Sequence, residues 1–160
     1  MKSMWWLASA LLALLALTAG ASAQAPTTPA APPKPVETPV PPEVAAEAQR
    51  VLADGIRRFE AMDEDGVLAY VSERYRSGPL TKPVMRQQLR AMFQTNDALR
   101  ARVRIVEMRM IDGRLWVSST GDVTGRLRFL GTPITILAWT EAWDVAWLEN
   151  GRWLLIGDKG

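Results

Sequence analysis

Neither cysteine nor histidine occurs in the 160-residue sequence. The first absence excludes disulfides, thiolate metal sites, a thiol nucleophile and a lipid-modified N-terminal cysteine. The second excludes a Ser-His-Asp triad and histidine-ligated metals, and it removes the commonest general base. Catalysis, if there is any, is left to carboxylates, lysine, tyrosine and the backbone. No metal and no cofactor are expected. Excess charge of one sign is also missing, since 19 Lys and Arg stand against 17 Asp and Glu. That near-balance argues against nucleic acid as a partner. Tyrosine occurs only twice, so a phenol in any site must come from Tyr70 or Tyr75.

What is present falls into three segments. In residues 1–23, Lys2 gives a short positive start, Trp5 to Leu17 is uncharged and almost wholly apolar, and Ala21-Ser22-Ala23 offers a cleavage site. An apolar run of about 13 residues is short of the roughly 20 that span a bilayer. This pattern predicts a secretory signal cleaved after Ala23 and a periplasmic or secreted protein. An uncleaved N-terminal anchor is the alternative reading. Membrane contact is expected only through this signal, before cleavage. Residues 24–42 carry eight of the eleven prolines, a composition that favours an extended, solvated linker. Residues 43–160 form the predicted domain, long enough to bury a core without covalent staples.

Within the domain the apolar period is helical first. Val44, Ala48, Val51, Leu52, Ile56, Phe59 and Met62 make one stripe behind Pro42 and Glu43, which suit a helix start. Asp63-Glu64-Asp65-Gly66 then predicts a break and a capped short helix. A third helix is expected from Thr81 to about Gln94. From Arg100 the period becomes two. Ala101, Val103 and Ile105 alternate with arginines, then the apolar phase slips to Val106, Met108 and Met110. The slip predicts a β-bulge near Ile105-Val106. Asp112-Gly113 and Asn150-Gly151 predict tight hairpins, with Met110 opposite Leu115 and Met108 opposite Val117.

Carried through these registers, one face collects Val106, Met108, Met110, Leu115, Val117, Val123, Leu127 and Phe129. It continues with Leu137, Trp139, Trp143, Val145, Trp147, Leu154 and Ile156. The predicted fold class is therefore α+β, with three N-terminal helices packed on one face of a curved four-stranded antiparallel sheet.

The element order resembles the nuclear transport factor 2-like (NTF2-like) superfamily. So do Met62-Asp63-Glu64-Asp65-Gly66-Val67-Leu68 and the ending Trp143-x-x-x-Trp147-x-x-Asn150-Gly151-Arg152-Trp153-x-x-Ile156. The resemblance covers about 43–158. It implies a cone-shaped fold, a pocket between helices and sheet, and frequent dimerisation through the sheet. Members include ketosteroid isomerases, polyketide cyclases, dehydratases and non-catalytic binding domains. Catalytic members commonly use Asp or His with Tyr, and the versions that need His do not apply to this chain.

Within that frame, Glu141 alone interrupts the apolar face of the third long strand, between Trp139 and Trp143. A carboxylate among indoles has the chemistry of a general acid or base. Glu141 is the candidate catalytic residue, and Tyr70, Trp139, Glu141, Trp143 and Asp158 form the candidate ligand pocket. The opposite face is expected to expose Arg102, Arg104, Arg109, Arg126 and Arg128 beside small residues including Ala142, Asp144 and Ala146, continued by Trp153 and Leu155. It is read as the surface of a homodimer, with an envelope protein or anionic headgroups as other occupants. The function expected is a non-catalytic envelope module that binds a small apolar ligand or a protein. The alternative is a cofactor-free isomerase, cyclase or dehydratase using Glu141.

Overall fold

The chain enters the fold as an edge strand. In the computed structural model, which describes residues 35–157, Glu37–Thr38 (β1) pairs antiparallel with Met110 and Ile111. Val36 N–H donates to the Asp112 carboxylate at 2.9 Å and Val36 O accepts from Asp112 N–H at 3.0 Å, which fixes this edge. The end of the proline-rich linker is thus part of the sheet. The predicted signal, its cleavage site, the rest of the linker and Asp158 lie outside the described residues.

Helix α1 (Pro42–Glu60) starts at a proline, whose missing N–H costs nothing in a first turn, and carries Glu43 at its positive end. The short α2 (Glu64–Leu68) is capped as the Asp-Glu-Asp-Gly run predicts, with Asp63 accepting from Gly66 N–H at 2.9 Å. Arg76–Ser77 (β2) and Leu80–Thr81 (β3) make a small hairpin that delivers α3 (Lys82–Thr95). Glu64 accepts from both Arg86 and Arg90, tying α3 to α2. Phe59, Leu68, Met85, Leu89, Leu99, Val123 and Trp139 meet in the main core.

The large sheet has the order β1-β4-β5-β6-β7, built from β4 (Asn96–Ile111), β5 (Arg114–Leu127), β6 (Pro133–Glu149) and β7 (Arg152–Leu155). It has five strands where four were expected, β1 being the addition. Both hairpins form with left-handed residues at their tips, Asp112-Gly113 and Asn150-Gly151. Met110 lies opposite Leu115 and Met108 opposite Val117. The register shifts between Ile105 and Glu107, leaving Val106 as the bulged residue.

Two expectations for the sheet are corrected. First, β5 ends at Leu127, so Phe129 stands on the following turn and is exposed rather than on the inner face. Second, β6 carries a bulge of its own. Ser119 pairs with Ala142 and Gly121 with Trp139, so Thr140 and Glu141 together oppose Thr120, and Glu141 takes a left-handed φ of 54°. The extra residue reverses the facing of the rest of the strand. Ala142, Asp144 and Ala146 turn toward the helices, as do Trp153 and Leu155. Trp143, Val145 and Trp147 turn to the outer face with Trp116.

Candidate functional site

Helix α1 crosses the inner face of the sheet without closing on it. Only Phe59 of its apolar stripe is buried, while Val51, Leu52 and Ile56 stay half-buried. Between these side chains and the sheet lies a cavity of about 140 Å³. Its walls are Val103 and Ile105 of β4, Leu115 and Val117 of β5, Ala146 of β6, and Trp153 and Leu155 of β7. Ala146 sits where a bulky residue would fill the space. An unfilled void of this size forfeits about 3 kcal/mol of packing. Its volume resembles that of engineered cavities that take up a single aromatic ring.

The surface that lines the chamber is almost wholly apolar, and Tyr70, Ser119, Asp144 and Trp153 are the lining residues whose side chains carry a polar atom. Tyr70 follows α2 and is held by backbone pairing, since its carbonyl accepts from Leu155 N–H at 2.9 Å. Its hydroxyl donates to Asp54 of α1. Asp54 also accepts from Arg57 and from Arg58 Nε, the latter at 2.6 Å, and Arg58 Nη1 reaches Asp63 at 2.9 Å. The Gly66 N–H, and then Arg58, hold the Asp63 carboxyl below the usual range, while Asp63 and Tyr70 raise Arg58. This chain of charge-assisted bonds fixes the phenol oxygen against α1. With its O–H engaged as the donor to Asp54, that oxygen keeps acceptor capacity. Ser119 Oγ accepts from the Trp139 indole at 3.2 Å, which leaves the hydroxyl proton available. Asp144 is the one carboxylate of the lining.

Of the pocket residues named from sequence, Tyr70 lines the chamber. Trp139 is packed in the main core, Glu141 is exposed on the bulge, and Trp143 lies on the outer face. Asp158 lies outside the described residues. Glu141 leaves the inner face because the bulge consumes one step of alternation. Asp144 arrives there for the same reason. Ser119 and Asp54 carried no signal, being single polar residues in otherwise ordinary strand and helix patterns.

Four of the five arginines named from sequence have separate attachments. Arg102 pairs with Asp122, Arg109 with Glu107 and Arg126 with Asp97. Arg128 bonds the carbonyls of Phe93, Gln94 and Asn96, and Arg104 is exposed. Arg109 also stacks over Trp143, and Arg114 over Trp147, each 5.3 Å from the ring centroid.

The comparisons with solved structures now bear on this architecture. A candidate dehydratase of the NTF2-like family from Streptomyces avermitilis superposes with a TM-score of 0.58, covering 73% of this chain and 94% of that one at 8% identity. The chain has the NTF2-like fold. A candidate aromatic ring hydroxylase from Novosphingobium aromaticivorans (TM-score 0.61, 12% identity, 74% and 88% covered) and a candidate scytalone dehydratase from the same organism (0.56, 10%, 71% and 79%) have the same NTF2-like architecture. No family model and no curated protein matches the sequence. At these identities the likeness is one of fold, and the chamber's own chemistry carries the functional argument.

Proposed function

We propose that this chain is an NTF2-like binding module for a small, mostly apolar molecule of about one ring, held in the chamber between α1 and the sheet. The observation that carries the reading is a preformed 140 Å³ cavity with almost wholly apolar walls, with Tyr70, Ser119 and Asp144 among the residues that line it. A ligand hydroxyl is proposed to meet Tyr70, Ser119 or Asp144 of the lining. The predicted signal supports an exported, periplasmic or secreted setting, which mass determination of the mature N-terminus would test.

A second reading is favoured by one observation, the carboxylate of Asp144 in a largely apolar chamber. There it would serve as general base in a cofactor-free dehydratase or isomerase, the role first expected of Glu141. Titration with p-cresol tests the binding reading. Asp144→Asn and Tyr70→Phe are each expected to weaken it about tenfold, the worth of one hydrogen bond to a charged or anchored group. Unchanged affinity in both variants would remove these residues from the site.

The outer face supports a homodimer. Trp143 and Trp147 lie beside Trp116 and Leu154, over the buried Val145, with Arg109 and Arg114 stacked at the rim. Such a patch resembles the centre of an interface, apolar and aromatic with arginine at its edge. Sedimentation velocity is expected to show a dimer that Trp147→Glu dissociates. A monomer at all concentrations would refute this.

A further inference from the structure

The two most exposed large apolar side chains of the described residues stand side by side, far along the sheet from the tryptophan face. Phe129 is 92% exposed and Leu130 is 73% exposed, both on the turn between β5 and β6. The turn is firmly built. Gly131 N–H donates to Leu127 O at 2.8 Å and Leu127 N–H to Thr132 O at 3.1 Å, while Gly131 supplies a left-handed φ of 63°. Arg128 N–H donates to Thr95 O at 3.0 Å, and its guanidinium holds the carbonyls of Phe93, Gln94 and Asn96 at the end of α3. The apolar pair is therefore held outward by a rigid support.

Charge singles out the same tip. From Val123 to Thr140 the chain contains Arg126 and Arg128 and no acidic residue. Arg126 is paired with Asp97, and Arg128, hydrogen-bonded to carbonyls, also acts on that carboxylate, so two arginines face one acid at the tip. The shape decides between occupants. A stable protein interface buries about 800 Å² on each partner, which two side chains on a convex turn cannot supply. A bilayer accepts such a tip readily, because apolar side chains enter the acyl boundary while arginines meet headgroup phosphates. We propose that the β5–β6 turn is a membrane-contacting tip, inserting Phe129 and Leu130 into an anionic lipid surface. This contact is separate from the predicted signal and from the ligand chamber.

The absence of cysteine makes the test clean. A Leu130→Cys variant takes one environment-sensitive fluorophore, and a Gln49→Cys variant labels exposed α1 as a control. On addition of phosphatidylglycerol vesicles the tip label should shift blue and be quenched by spin-labelled lipid, with α1 unchanged. Phosphatidylcholine vesicles should give a weaker response. Phe129→Ser in the same background should lower partitioning about tenfold, the loss expected for one large apolar contact. No response at the tip, or equal responses at both labels, would overturn the proposal. So would a blue shift that follows protein concentration without lipid, which would mark self-association through the tip.

Discussion

Asp144 and Glu141 show how much a single residue's facing decides. Both are carboxylates of one strand, three residues apart, yet one lines the chamber and the other stands in solvent. The consequence is a contrast between two conservative changes. Glu141→Gln should leave p-cresol affinity unchanged, whereas Asp144→Asn should weaken it, and isothermal titration of both variants reads the difference. Gly66 illustrates a purely steric demand. A Cβ there would overlap the Asp63 carboxylate and crowd Arg58, breaking the cap of α2. Gly66→Ala should destabilise the fold by about 1–3 kcal/mol, measurable by urea denaturation. A variant as stable as the parent would mean that the cap is not rigid.

At the scale of elements, legibility depended on whether a break in period showed in the side chains. The bulge in β4 was readable because Ile105 and Val106 are adjacent apolar residues, so the phase slip is visible. The bulge in β6 was not. Trp139, Glu141 and Trp143 keep a perfect alternation, and the sole mark of the bulge is a charged residue in an apolar phase. Size misled as well. The pattern puts the bulkiest residues on the core face, but the cavity stays open where a small residue, Ala146, stands. Gly121, opposite the bulge, has the same logic, since a Cβ would meet the Arg102 carbonyl and the Trp139 ring. The helices, caps and hairpin tips were legible because each rests on local chemistry. Strand β1 was not, because two residues in a proline-rich stretch carry no pattern until an edge is there to receive them.

At the scale of the whole molecule, surface carboxylates govern the response to acid. Arg90 and then Arg86 hold Glu64 below its ordinary range, Arg126 does so for Asp97, and Arg74 with Ser72 for Glu149. Each of these groups binds protons more weakly folded than unfolded. Their contribution is therefore full above the unfolded value, about 4, and is lost as pH falls through the folded values. With no histidine to titrate near neutrality, thermal stability should stay level from about pH 8 to 5.5 and decline below about 4.5. A melting temperature that instead changes between pH 6 and 7 would contradict this assignment.

The cavity is the central claim, and methyl-resolved NMR tests it most directly. On titration with p-cresol, the Val51, Leu52, Val103, Ile105 and Val117 methyls around the chamber should shift together and saturate, while Leu89 in the main core stays in place. In Asp144→Asn the same methyls should saturate only at about tenfold higher ligand. If p-cresol leaves the chamber methyls unmoved, or shifts only those of the outer face, the chamber is not the binding site.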